Sequence, residues 1–203
     1  MDCNITSITI ELQQARELRW RQAMDAGELG VWDLRPELET VHHSPQWKLR
    51  LGFPEPQAAD STHFWRCRVH PEDLQAMLAA IYAHAQGDSP KYEARFRLRS
   101  NGSGYRLLHS QGRVIERTAE GRMLRMIGTM VDLTGRPSTP RGGMLDGPRG
   151  PMGGLPLALP FHQLLDAADL NTPSLLQERA RVLGAVSDLL DDSMAELERS
   201  PSA

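Results

Sequence analysis

The chain has 203 residues, 40% hydrophobic and 24% charged, with a formal net charge of -3 and a pI near 6.2, which suits one buried core plus an appendage. That balance leaves no general basic field for phosphate backbones, and no DNA-binding motif is present, so nucleic acid is not expected as a partner. Cys3 and Cys67 form no CxxC, the first residues lack a signal-peptide pattern, and no run approaches the roughly 18 apolar residues of a membrane span, so a cytoplasmic protein without membrane contact is predicted.

The elements follow in chain order. Over residues 8–26, Ile8, Leu12, Ala15 and Leu18 recur at helical spacing and Gly27 stands where a left-handed cap fits, which predicts an amphipathic lead-in helix in an N-terminal segment 1–27. LGVWDLRPELETVHHS reads as two short strands around a Pro-Glu turn, with His42-His43 at a surface strand end. SPQWKLRLGF and STHFWRCRVHPEDL read as short helices in a long connection. HPEDLQAMLAAIYAHAQG predicts a longer helix with Leu74, Met77, Leu78 and Ile81 on one face and Gly87 as its stop. In KYEARFRLRS, Tyr92, Ala94, Phe96 and Leu98 alternate with charged residues, so a half-buried strand is predicted with Arg95, Arg97 and Arg99 on its solvated face. SNGSG turns into YRLLHSQGRVIER, and AEGR into MLRMIGTMVDL. The last strand sets Leu124, Met126 and Met130 on one face and Ile127, Val131 and Leu133 on the other, so both sides need an apolar cover. The lead-in helix or a second copy of the chain is expected to supply the outer one.

Residues 136–160 hold six glycines and six prolines in 25 positions. No packed element is expected there, and as a flexible linker (137–160) its ends would lie on the order of 25–30 Å apart. The tail, 161–203, becomes helical from Pro173 to Arg199, with Leu176, Leu183, Leu190 and Leu197 spaced by seven and Ala180 and Met194 between them, a pattern suited to pairing with another helix.

LGVWDL, LGFPEP, VHPEDLQAM, YEARFRLRSNGSGYRLLHSQG and EGRMLRMIGTMVDLTGR occur in this order over residues 28–136, and together they resemble a PAS domain of the type with a C-terminal PAC segment. The resemblance implies an α+β PAS fold: a five-stranded antiparallel sheet in the order 2-1-5-4-3 with flanking short helices and a small pocket on its concave side. It also implies a sensory or dimer-forming role in signalling. In the family, the last strand ends in Asp-Ile-Thr-Glu-Arg and leads into an output helix. Here Asp132 and Thr134 match as signal-output residues, but Gly135 replaces the acid, and Pro137 and Pro140 follow. Pro140 removes a helix hydrogen bond at a cost of about 3 kcal/mol, so a tethered output replaces a continuous rod. ADLNTPSLLQ and the segment after it resemble, more faintly, the dimerisation region of a sensor histidine kinase. The phosphoacceptor position is Ala168, the two segments lie closer together than in that family, and no ATP-binding domain follows, so no enzymatic activity is expected.

Three chemistries compete with a plain core. His63, Cys67 and His70 would be metal ligands at i, i+4 and i+7 if one helix ran through them, but His70 belongs to the His-Pro-Glu-Asp motif that the family carries without metal. Cys67 reads more simply as a small buried filler. His84, near the end of the long helix, stands roughly where haem-binding members of the family place their iron ligand, and a capping histidine near a helix C-terminus explains it equally. Trp32, Trp47 and Trp65 offer stacking for a flavin, though core packing needs them too, and the flavin-photochemistry motif Asn-Cys-Arg-Phe-Leu is absent. A small-molecule pocket would be lined by Trp32, Phe64, Met77, Ile81, Phe96, Leu108 and Met126.

The expected function is therefore a non-catalytic PAS signalling protein that senses a small molecule, contacts a protein partner, or does both, most simply as a homodimer. Leu12, Leu18, Ile127, Val131, Leu176, Leu183, Leu190 and Leu197 are the candidate dimer or partner contacts. A truncated sensor histidine kinase and a haem or flavin gas or redox sensor are the alternatives.

Overall fold

The computed structural model describes residues 2–53, 55–102, 104–134, 159–166 and 172–199, with side chains from residue 10 onward in the first helix. Helix α1 (Asp2–Asp25) is followed by β1 (Leu29–Arg35), a 3-10 turn (Pro36–Leu38), β2 (Thr40–His43), α2 (Pro45–Arg50), β3 (Asp60–Ser61) and α3 (Thr62–Arg66). The chain continues through α4 (Pro71–Gln86), β4 (Tyr92–Arg99), β5 (Tyr105–Arg117), β6 (Met123–Asp132), α5 (Phe161–Asp166) and α6 (Pro173–Arg199). Most of the linker expected over 137–160 lies outside the described residues.

The α+β class is as the alternating patterns imply, but the sheet has six strands in the order β3-β2-β1-β6-β5-β4, not five in the order 2-1-5-4-3. The additional strand is β3, two residues that pair Ser61 with Thr40 and Asp60 with Val41. Two residues carry no alternation, so a sequence pattern cannot announce such a strand. Its place at the sheet edge keeps that edge short. At the opposite edge, the backbone N–H of His70 donates to Arg97 O (2.8 Å) and that of Arg99 to Arg68 O (2.8 Å), so the connection before α4 covers that end of β4.

Alternation along the central strands separates two cores. On the concave inner face, Trp32, Met126, Met130, Leu108, Phe96, Leu98 and Tyr92 pack with Trp47, Phe53, Trp65 and Met77 from the α2–α4 side. On the outer face, Leu29, Val31, Ile127 and Val131 pack with Trp20, Ala23 and Met24 of α1, with Phe161, Leu164 and Leu165 of α5, and with Val182, Leu183, Val186, Leu189 and Leu190 of α6. The tail therefore shares the outer core with the sheet instead of forming a separate unit. Helix α1 covers only part of that face, and its docked side is not the stripe read from its spacing: Leu12 and Leu18 are 62% and 54% exposed, whereas Trp20 is 2% exposed.

The caps follow local rules. Gly27 (φ +67) ends α1 in a left-handed turn, its N–H donating to Met24 O and the next N–H, of Glu28, to Ala23 O. His70 caps α4, its Nδ1 accepting from Glu72 N–H at 3.3 Å, with Pro71 in the first turn.

Candidate functional site

The inner face is built around Trp32. In register across four strands lie Trp32, Gly128, Gly112 and Tyr92. The indole crosses the two glycines: a Cβ at Gly128 would sit 2.3 Å from its Cζ2, and one at Gly112 2.4 Å from its Cη2. Its Nε1 donates to Ser110 Oγ and to Thr129 O, both at 3.1 Å, and the Tyr92 ring meets it edge-on with centroids 5.9 Å apart. Burial pushes the Tyr92 phenol above its ordinary pKa, against the opposite pull of its hydrogen bond with Ser110. Nearby, Trp47 lies against Gly30, where a Cβ would come within 2.5 Å of its ring. The candidate pocket residues Trp32, Phe64, Met77, Ile81, Phe96, Leu108 and Met126 are all brought together in this core, with Phe64 and Ile81 partly exposed at its margin.

Other candidates fall differently. His84 is buried with both ring nitrogens engaged: Nδ1 donates to Ser89 O (2.7 Å) and Nε2 accepts the Val114 N–H (2.9 Å). It ties the end of α4 to β5, so its lone pair is not free for haem iron. His63 and Cys67 do meet, Nε2 to Sγ at 3.3 Å, but α3 ends at Arg66 and His70 turns away to meet the Tyr105 ring edge-on with centroids 4.8 Å apart. The break before Pro71 separates the three, and no group of three or more metal-type ligands occurs among the described residues. Cys67 is exposed, not a buried filler. His43 is not at the surface but buried against Trp65 (centroids 4.2 Å), and burial, with the positive charges of Lys48, His162 and His42, pushes its pKa down to about 3.

At the end of β6, Thr134 N–H donates to Asp132 Oδ1 (2.9 Å), and Thr134 Oγ1 accepts from Leu107 N–H (2.8 Å). Asp132 also pairs with Arg106 at 2.5 Å. Asp132 and Thr134 thus finish the strand; whether a helix follows lies outside the described residues, as do Gly135, Pro137 and Pro140. Of the kinase-like box, Ala168, Asp169, Leu170 and Asn171 also lie outside them, while Thr172 O accepts the N–H of Leu175 and Leu176 at the start of α6.

The outer face carries a charge cluster that the sequence reading passed over. Arg125, 1% exposed, donates from Nη2 to Asp33 Oδ2 (2.6 Å), from Nη1 to Glu116 (3.2 Å) and Glu178 (3.0 Å), and from Nη2 to Leu159 O (3.0 Å). Asp33 Oδ2 also accepts the Phe161 N–H at 3.1 Å. The pair therefore grips the backbone where the tail returns to the sheet. A register shift after Val114 turns both Ile115 and Glu116 toward this face, which places Glu116 beside Arg125. Burial works against the charge on Arg125, yet the hydrogen bonds and charge of Asp33, then Glu116, raise its pKa above the ordinary guanidinium value. Arg181, then Arg125, hold the Glu178 carboxyl below its ordinary value despite some burial. The available signal was a charge two residues from an apolar residue of the covered side: Asp33 after Val31 in β1, and Arg125 before Ile127 in β6.

Helix α6 is held further along its length. Ser193 Oγ donates to Thr129 Oγ1 at 2.7 Å inside the apolar interface. Arg113 pairs with Asp188 (2.7 Å), Arg95 with Glu196 (3.2 Å) and Lys91 with Asp192 (3.5 Å), while Arg16, Arg19 and Glu17 of α1 pair with Asp191, Glu198 and Arg179. The expected arginine stripe is thus divided: Arg95 reaches α6, and Arg97 pairs with Asp73 of α4 at 2.8 Å. Among the candidate dimer contacts, Ile127, Val131, Leu183 and Leu190 are consumed in this intrachain core and Leu197 packs at its edge, whereas Leu12, Leu18 and Leu176 remain exposed.

One antiparallel sheet with a helix-covered, indole-filled concave face and helices between its second and fourth strands defines the class as a small α+β module. Residues 40–130 match the model of the PAS fold family, and this segment is a PAS domain. Similar solved structures include a sensory box histidine kinase/response regulator from Burkholderia thailandensis E264, at 25% identity and TM-score 0.48, covering 57% of this chain and 85% of that one. The N-terminal domain of a diguanylate cyclase with PAS/PAC sensor from Marinobacter aquaeolei is similar at 22% identity and TM-score 0.45, covering 52% and 95%. A domain of a putative light and redox sensing histidine kinase from Haloarcula marismortui is similar at 20% identity and TM-score 0.45, covering 57% and 98%. No curated protein matches the chain.

Proposed function

We propose that the chain is a non-catalytic signalling module that works by protein contact, with its tail helix α6 as the resident occupant of the surface through which it signals. The observation that supports this reading is the outer sheet face. Leu29, Ile127 and Val131, each 0% exposed, lie beneath Val182, Val186, Leu189 and Leu190 of α6, also 0% exposed. Without α6 this would be a contiguous apolar patch of the kind that marks an interaction site. A helix is the natural cover, and the acidic α6 suits the arginines at the patch margin.

The mechanism is a population shift between a covered and an open face. A partner helix, or α6 of a second copy, competes for the sheet and gains only by its excess over the resident helix. A dimer in the covered state has to use other surfaces, and of the candidate contacts the exposed Leu12, Leu18 and Leu176 stay available for it.

The test places a charge in the resident helix. Full-length Leu189→Asp is compared with the wild type in sedimentation and in titration with a synthetic peptide of residues 173–199. The variant is expected to self-associate and to bind the peptide, and the wild type to bind it at least tenfold more weakly. A folded variant that stays monomeric and ignores the peptide would rule out the outer face as a helix-docking surface.

A further inference from the structure

We propose that the slot on the inner sheet face is a recognition site for a flat heteroaromatic ring bearing an N–H donor, and that the Trp32 side chain permanently supplies that ring. Two glycines, Gly112 and Gly128, lie beneath the indole. Gly112 and Gly128 are not among the glycines with positive φ, so no left-handed turn calls for glycine at either position. Glycine in a strand interior weakens it, and is kept where something must approach closely. What approaches both is the six-membered ring of Trp32, inside 2.5 Å of where either Cβ would stand, and at Gly128 the Gln111 carbonyl oxygen comes closer still, at 2.0 Å. The buried Nε1–H finds two acceptors, Ser110 Oγ and Thr129 O, at 3.1 Å each. The Tyr92 ring, at an interplanar angle of 74°, walls one end. A slot cut by two glycines, a pair of acceptors for one N–H and an aromatic wall is the chemistry that would bind free indole, supplied here by the chain itself.

The consequence is that this PAS domain carries its own ligand. A diffusible small molecule would have to expel a hydrogen-bonded indole, so the intact chain responds to contacts on its outside and not to occupation of its interior. This inference does not depend on the tail-docking reading, and either can fail without the other.

The full-length Trp32→Ala variant tests it, with indole as the probe. The substitution is expected to lower the melting temperature by roughly 10 °C or more. Indole at about 1 mM should raise it again by several degrees while leaving the wild type unmoved. Benzofuran, with the same footprint and no N–H, should bind the variant roughly tenfold more weakly, because it forgoes the hydrogen bond to Ser110 Oγ and Thr129 O, which keep only the bond between them at 3.2 Å. If the variant does not stay folded alone, refolding from urea with and without indole gives the same reading: recovery of the native near-UV spectrum only with indole supports the assignment. Failure of indole to stabilise or refold the variant, equal binding of benzofuran, or an equal effect of indole on the wild type would each overturn it.

Discussion

Asp33 and Arg125 form an ion pair at 2.6 Å with side chains each 1% exposed, and the same Asp33 oxygen accepts the Phe161 N–H from the returning tail. Removing one partner of such a pair leaves a buried charge without compensation. Asp33→Ala is therefore expected to cost about 3–5 kcal/mol, at the lower end because Glu116 and Glu178 remain on Arg125. Asp33→Asn, which keeps an acceptor for Phe161, should cost less. Urea unfolding gives both values, and amide exchange should show α5 losing protection before the inner core does.

Two glycines predict opposite signs. Gly128→Ala would put a methyl 2.0 Å from Gln111 O and 2.3 Å from the Trp32 ring, so the indole or the β5–β6 ladder must move. A loss of about 3 kcal/mol is expected, the upper range for overpacking. Gly184, in the middle of α6, has nothing within 4 Å of its absent Cβ. Gly184→Ala should stabilise by about 1 kcal/mol, the difference in helix propensity. Thermal denaturation of the two variants should therefore shift in opposite directions.

His43 makes stability depend on pH. Its folded pKa lies near 3 against an ordinary 6.5, so the unfolded chain binds the proton more readily over that interval. The contribution is complete above about pH 6.5 and is lost as pH falls toward 3, at up to about 1.4 kcal/mol per pH unit. His43→Phe keeps a ring against Trp65 and removes the titration. Unfolding measured from pH 7 to pH 4 should fall more steeply for the wild type than for this variant.

The docking of α6 rests on its apolar side more than on its charges. Leu189 is fully buried, whereas the Arg95 side chain is 60% exposed. Leu189→Ala is expected to cost about 2–5 kcal/mol and Arg95→Ala less than about 1 kcal/mol. Raising the salt concentration should loosen α6 only slightly in hydrogen exchange.

Much of the fold was legible because period and punctuation agreed. The alternation from Tyr92 to Leu98, the turns at Gly102 and Gly121, and the caps at Gly27 and Gly87 all stand where the sequence places them. Strand β3 was not legible, since two residues have no period, nor was α5, whose six residues carry too short a pattern. The inner site was half legible. Its apolar lining followed from strand alternation, but that Trp32 spans two glycines requires the register of strands far apart in sequence. The tail helix was legible from Pro173 to Arg199, but not what it packs against. Leucines spaced by seven announce an apolar face without saying what covers it, and here the nearest available surface was the chain's own sheet. His84 and His43 show the same limit: a histidine's role is set by what its two nitrogens meet, and those partners, Ser89, Val114 and Trp65, come from other elements.

The backbone bonds that close β4 at Arg97 and Arg99 restrict the ways in which this molecule can be recognised. Where donors and acceptors of an outermost strand are already satisfied, an extended peptide finds no ladder to join there, and at the far margin β3 offers only two residues. Intermolecular zippering of sheets is thereby discouraged. On the reading proposed above, contact with other proteins then falls to surfaces read through side chains, where a single helix would exclude or admit a visitor.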